Sequence, residues 1–232
     1  MAGTEKLVLV TGAAGALGRA VCAEFAGRGR RVVAIDRDAG GLRAAFGEGG
    51  MLQVAVDLLD ARATAGAVEA LVASHGPVDT LACIAGGFAM GPAVHEEDPA
   101  DYRRLMDMNF ATTQHIVRAA LPGMLAERAG CVLTIGALAA LSGKAQMGAY
   151  CVSKSAVMRL TETLAAELRG TGVRANCILP SIIDTPVNRA AMPDADPGQW
   201  VRPEQLAQIM AFLAGPEGAA IHGALLPVDG GH

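Results

Sequence analysis

Two hydrophobic periods alternate along this chain. Short apolar, largely β-branched runs at 6–10, 31–35, 51–56, 78–84, 131–135, 173–179 and 225–228 end in glycine, aspartate or other turn residues, as strands buried on both faces do. Between them, apolar residues recur at helical spacing: Val21, Cys22 and Phe25 within 19–28, and the longer stretches 99–120, 149–168 and 203–214. Strands that alternate with helices predict a parallel sheet covered by helices on both faces, and no linker or repeat interrupts the pattern. The expectation is one doubly wound α/β domain over 1–232 with about seven strands.

Composition agrees with a packed globular chain. With 232 residues, 52% hydrophobic and 18% charged, it has enough apolar material for a sizeable core and too little charge for disorder. A net charge of −4 argues against nucleic acid or an anionic membrane as partner, and no apolar run approaches the roughly 20 residues of a membrane span. Residues 1–6 lead straight into the first strand without a charged and apolar leader, which points to a cytoplasmic protein. Cys22, Cys83, Cys131, Cys151 and Cys177 are odd in number and form no C-x-x-C pair, so they read as reduced core thiols. His75, His95, His115, His222 and His232 have no metal-binding spacing, and no metal is expected.

Several motifs fall just after strands. Gly12, Gly15 and Gly18 close the first strand and open a helix, where backbone amides can approach a pyrophosphate at the helix N-terminus. Asp36 ends the second strand, placed to accept ribose hydroxyls and repel a 2′-phosphate, although Arg37 beside it could pair with one. Asp57 and Leu58 follow the third strand, where the aspartate either borders an adenine or serves as a helix N-cap. Ala85-Gly86-Gly87, Gly136 and Pro180 follow later strands. In a doubly wound sheet all these positions gather along the carboxyl edge, where ligands bind. Tyr150 and Lys154, four apart on a helix, present a phenol and an ammonium to one face; taken alone, the pair also reads as ordinary packing.

In order, Thr11 to Gly18, Asp36, Asp57, Ala85-Gly86, Asn109, Tyr150-x-x-x-Lys154, Pro180 to Thr185 and Val228-Asp229-Gly230-Gly231 make the chain resemble the short-chain dehydrogenase/reductase family along essentially its whole length. The resemblance implies a single Rossmann-like domain and an NAD(P)(H)-dependent oxidoreductase. It also implies that Tyr150 is the acid/base, that Lys154 holds the nicotinamide ribose and lowers the Tyr150 pKa, and that Asn109 supports a proton-relay water. The implied cofactor set is Gly12, Gly15, Leu17, Gly18, Asp36, Arg37, Asp57, Leu58, Ala85, Gly86, Gly87, Tyr150, Lys154, Pro180, Ile183 and Thr185, with NAD(H) favoured over NADP(H) by Asp36.

Two departures stand out. The family's serine thirteen residues before the tyrosine is Ala137 here, which removes a donor to the reacting oxygen, with Ser142 a substitute only if its loop bends back. Cys83-Ile84 replaces the more usual asparagine pair before Ala-Gly. Together with the 184–196 loop, these make the chain similar to the dihydropteridine reductases, which also lack the serine. Quinonoid dihydropterin reduction by NADH is therefore the specific expectation. The alternatives are a carbonyl reductase or alcohol dehydrogenase of ketone or 3-oxoacyl type, and a dinucleotide sensor without turnover.

Residues 186–200 read as a substrate lid carrying Met192 and Trp200; the tryptophan either closes over a planar ring or anchors the loop. Glu96-Glu97-Asp98 and Arg103-Arg104 read as solvated charges. The family resemblance implies a homodimer or homotetramer built on the helices near Asn109 and Tyr150.

Overall fold

A computed structural model describes residues 6–230. Residues 1–5 and the last two positions, Gly231 of the Val228-Asp229-Gly230-Gly231 motif and His232, lie outside the described residues.

The apolar runs form seven strands: β1 (Leu7–Thr11), β2 (Arg31–Asp36), β3 (Leu52–Ala55), β4 (Val78–Cys83), β5 (Gly130–Ile135), β6 (Val173–Pro180) and β7 (Leu225–Val228). They pair in the order β3-β2-β1-β4-β5-β6-β7, every ladder parallel. Strand order reverses between β1 and β4, so a crevice opens above Thr11 and Cys83, the position at which this topology binds ligands. Register aligns the strand ends: Thr11 lies opposite Ile35, Asp36 opposite Ala55, Ile135 opposite Ile178 and Pro180 opposite Val228. Residues that follow these ends therefore share one edge.

Helices cover both faces. On one, α1 (Ala16–Gly27) and α8 (Pro203–Ala214) seal a core of Val8, Val10, Phe25, Ala34, Leu133 and Met210. On the other, α3 (Ala61–His75), α5 (Thr112–Glu127) and α6 (Gly148–Glu167) cover Leu7, Leu9, Val33, Leu81 and Val132. Two shorter helices, α2 (Ala39–Phe46) and α4 (Pro99–Leu105), connect these layers. All five cysteines are free and buried. Among the described residues no helix is long and apolar enough to cross a membrane, and no group of three or more His, Cys, Asp or Glu is placed to hold a metal.

Two elements differ from the sequence expectation. The helix read as 99–120 is composite: α4 passes through a π-helical turn, Met106–Ala111, into α5, which runs on to Glu127 with Pro122 inside it. Ile116, Val117, Ala120 and Met124 keep one buried face across Pro122, so packing overrides the missing amide. The 186–200 segment is not irregular throughout. Thr185 caps a short helix, α7 (Pro186–Ala191), its Oγ1 accepting the Asn188 amide at 3.2 Å, and Asp196 starts a 3-10 turn at Pro197–Gln199.

Candidate active site

The glycine turn is built by close approach. Gly12 has φ +64°, and a Cβ there would lie 2.9 Å from the Ala85 backbone on the neighbouring loop. At Gly18 a Cβ would lie 2.1 Å from Gly12 O, so α1 can sit this near the turn only without a side chain. The α1 N-cap, Gly15, supplies no side-chain acceptor and the first turn holds no acid. Its amides thus face the edge uncapped, as a pyrophosphate site requires.

Asp36 is half-buried at the end of β2. Its Oδ2 accepts the Ala14 amide at 3.1 Å and its Oδ1 the Asp38 amide at 3.2 Å, which fixes the carboxylate against the glycine turn while each oxygen keeps a free lone pair. Arg37 next to it is exposed. Asp57 is not the cap of α3. It accepts the Leu59 amide at 3.0 Å, and Asp60 caps the helix by accepting the Arg62 and Ala63 amides at 2.9 Å. Leu58 is buried, and its carbonyl lies 2.8 Å from His115 Nδ1.

Above β4, Thr11 Oγ1 accepts the amides of Ile84 and Ala85 at 3.0 and 3.1 Å and ties β1 to the loop that begins Ala85-Gly86-Gly87. The π-helical turn aims Asn109 at that loop. Asn109 Oδ1 accepts the Gly87 amide at 2.8 Å, and its Nδ2 donates to Gly87 O at 3.1 Å and to Ser153 Oγ at 3.0 Å. Ser153 Oγ in turn donates to Tyr150 O at 2.8 Å. Asn109 is thereby locked between the β4 loop and the helix that carries Tyr150 and Lys154, an arrangement that an inserted π turn makes possible. Ser153 was not singled out from the sequence; its place between Tyr150 and Lys154 hid it.

Lys154 is 6% exposed and its Nζ donates to Ile135 O at 2.9 Å. Burial lowers its pKa to about 8, with Cys177 acting in the opposite sense. Burial also pushes the Tyr150 phenol up to about 12, Cys151 adding to the shift. A Cβ at Gly86 would come within 2.5 Å of Asn109 Oδ1 and 3.4 Å of Lys154 Nζ, so only glycine leaves room for both groups there.

Ala137 lies 4% exposed in an apolar cluster with Ala140, Met158, Cys177 and Leu179, and Tyr150 and Leu225 pack against it. Ser142 follows the 3-10 turn Leu138–Leu141 and is exposed in extended conformation. Beyond β6, Pro180 pairs with Val228, Ile183 bridges to Val201, and Asn188 Nδ2 donates to Ile183 O at 2.8 Å. Met192 is half-buried at the end of α7. Trp200 is 6% exposed, which identifies it as the anchor of the loop.

Two further residues bear on Tyr150. Phe88 sets its ring 4.9 Å from that of Tyr150 at an interplanar angle of 80°. Glu97, read from the sequence as solvated, reaches the start of α6: Oε1 accepts the Ala149 amide at 3.4 Å, and a Cβ at Gly148 would meet Oε2 at 2.9 Å and Tyr102 Oη at 2.7 Å. The N-cap of α6, Met147, has no side-chain acceptor of its own, so the long-range carboxylate takes that role.

Known proteins fit this arrangement. A family model described as short chain dehydrogenase matches residues 6–196. Over 98% of its length the chain is 32% identical to D-threitol dehydrogenase of Mycolicibacterium smegmatis, covering 92% of that protein. It is 31% identical to cis-4-hydroxycyclohexanecarboxylate dehydrogenase of Sinomonas cyclohexanicum, with 98% and 96% covered. The crystal structure of an NAD+-bound xylitol dehydrogenase matches with a TM-score of 0.89 at 25% identity, each chain covered over 100% of its length. These matches are to alcohol dehydrogenases. They favour the alcohol and carbonyl alternative over quinonoid dihydropterin reduction, and the likeness to dihydropteridine reductases is not reproduced in them.

Proposed function

The chain belongs to the short-chain dehydrogenase family and is an NAD(P)-dependent oxidoreductase; from that premise we propose that it interconverts a small secondary alcohol and its ketone, with NAD(H) as the preferred cofactor. The observation that carries the reading is Tyr150 beside a buried Lys154 on α6, with Asn109 holding that helix to the β4 loop. The glycine turn, the uncapped α1 and Asp36 fit a dinucleotide whose ribose hydroxyls are free, because a 2′-phosphate would meet a fixed carboxylate. Leu17, Arg37, Leu58, Ile183 and Thr185 border the same edge in this reading.

When bound, a nicotinamide dinucleotide supplies the hydride acceptor or donor. Tyr150 handles the proton. With its pKa pushed up to about 12 the phenol is protonated at neutral pH, which suits it to donate to a ketone oxygen. To accept a proton from an alcohol it needs positive charge nearby, and Lys154 provides the protein's share. Residues 186–200 act as the lid, with Met192 facing the substrate. Assembly as a homodimer or homotetramer belongs to the same proposal, and sedimentation equilibrium tests it.

NADH absorbance measured with a panel of secondary alcohols and ketones tests the reading: turnover of at least one class supports it. Turnover of a quinonoid dihydropterin alone would establish the second reading, which the absence of a hydroxyl at Ala137 favours. Dinucleotide binding with no turnover of either would leave a sensor.

A further inference from the structure

We propose, resting on the alcohol dehydrogenase reading above, that the substrate carries a ring or apolar chain beside its carbinol carbon, and that Phe88 is the side chain that selects it. The catalytic edge is unusually apolar on its open side. Of the ten large hydrophobic residues exposed among the described residues, six stand on the three segments that follow β4, β5 and β6: Phe88, Met90, Val94, Leu141, Ile182 and Val187. The other four, Leu59, Leu125, Val152 and Phe212, are scattered, whereas a set gathered at one edge marks a place where something apolar is to be bound.

Phe88 is the member whose place is fixed by contact. It is 54% exposed, yet its ring stands edge-on to Tyr150 at 4.9 Å, so an apolar face projects beside the phenol that meets the substrate oxygen. On its other side Tyr150 packs against the cluster of Ala137, Met158, Cys177 and Leu179. The position where the family places a hydroxyl thus lies within a buried apolar cluster. On the segment after β6 the Arg189 guanidinium is engaged by Asp184, to which it donates at 2.6 and 2.8 Å. A polyol would bring extra hydroxyls against the Phe88 ring and its apolar neighbours, where a hydroxyl finds no partner, and unpaired polar groups are costly to bury. A ring or alkyl group would cover Phe88 and its neighbours and gain from doing so.

Initial rates of the NAD(H)-coupled reaction with 1-phenylethanol and cyclohexanol, set against xylitol and galactitol, test the proposal. The apolar alcohols should show kcat/KM at least roughly tenfold higher, the scale on which an apolar pocket discriminates. Phe88→Ala should lower kcat/KM on the apolar alcohols roughly tenfold, mainly through KM, and narrow the ratio of apolar-alcohol to polyol kcat/KM; an unchanged ratio would overturn the role given to Phe88. As Phe88 is an exposed loop residue, the variant should retain the parent's circular dichroism. Polyols turned over as well as or better than the apolar alcohols would overturn the proposal while the alcohol dehydrogenase reading stands.

Turnover of no alcohol or ketone would instead sink that reading. Calorimetric titration of 1-phenylethanol and xylitol into the complex with NADH, in which neither can react, then decides the proposal. Tighter binding of 1-phenylethanol supports it, and equal or weaker binding overturns it.

Discussion

Replacing Lys154 with methionine separates the electrostatic cost of its ammonium from the packing of its stem. Burial lowers its pKa from 10.5 to about 8, so the folded chain releases this proton about 2.5 pH units before the unfolded chain does. At about 1.4 kcal/mol per unit, the charged form costs the fold about 3 kcal/mol at neutral pH. Between pH 8 and 10.5 the unfolded state binds more protons than the native one, so the contribution to stability rises with pH across that window and is lost as pH falls through 8. Methionine abolishes this dependence. It also strips Ile135 O of its donor, a penalty of about 1–3 kcal/mol that does not depend on pH.

At pH 7 the two effects oppose, and Lys154→Met should be as stable as the parent or up to about 2 kcal/mol more so. By pH 9.5 the parent should have gained about 2 kcal/mol on the variant. Urea denaturation without cofactor, followed by the fluorescence of Trp200 at matched protein concentration, measures the difference, and groups common to both proteins cancel. A stability gap that stays constant from pH 7 to 9.5 would refute the assignment of a buried, depressed ammonium.

Tyr150→Phe should lower kcat by at least roughly a hundredfold while fluorescence titration gives an NADH affinity within about threefold of the parent; activity within a fewfold would show that another group moves the proton. Asp36→Ala should raise the NADP(H)-to-NAD(H) ratio of kcat/KM, and an unchanged ratio would mean that Arg37 or another group sets it. In Gly18→Ala the added methyl meets Gly12 O and Ala13, so thermal denaturation should show a loss of about 1–3 kcal/mol together with weaker dinucleotide binding. Ala137→Ser should speed ketone reduction, by up to about a hundredfold if the hydroxyl reaches the substrate oxygen. The same change should lower stability by about 1–3 kcal/mol in the protein without substrate, because the hydroxyl enters an apolar cluster.

The fold was legible because its strands are continuous apolar runs, its helices carry a 3.6-residue period, and the strand ends carry glycine or aspartate. All seven strands fall where the apolar runs do, and the carboxyl-edge rule gathers Gly12, Asp36, Gly86 and Pro180 without coordinates. What stayed hidden depends on contacts between distant residues. Local pattern assigns Glu97 to solvent, but the α6 N-terminus that it caps lies some fifty residues ahead. Local pattern also offers Asp57 as a cap for α3, although Asp60, one turn further on, takes that place. The π turn that aims Asn109 leaves no periodicity signal, since one inserted residue only shifts the phase of a helix. Phe88 sits in a glycine-rich loop with no period at all, and only its ring contact with Tyr150 marks it.

Ala137 stands in a tightly held part of the site. A Cβ on its neighbour Gly136 would strike Leu179 at 2.5 Å and Cys177 and Met158 at 3.0 Å, so the end of β5 is held close to its surroundings. The turn that follows is held to α6 as well: Ser155 Oγ donates to Ala140 O at 3.0 Å and Cys151 Sγ to Ala139 O at 3.6 Å. Ser142 leaves that clamped turn exposed and takes no part in the bonds that fix it. Bending it back over the site would mean breaking the contacts that seat the turn on the very helix carrying Tyr150. On the proposed reading the substrate oxygen relies on the Tyr150 phenol, and one preorganised donor fewer costs about 2.7–4 kcal/mol of transition-state stabilisation for a localised oxyanion. Apolar burial of the substrate beside Phe88 cannot replace that donor, but it excludes water and strengthens the hydrogen bond that remains. A site of this kind suits substrates that bring their own apolar surface, and the missing hydroxyl and the exposed phenylalanine are two parts of one specificity.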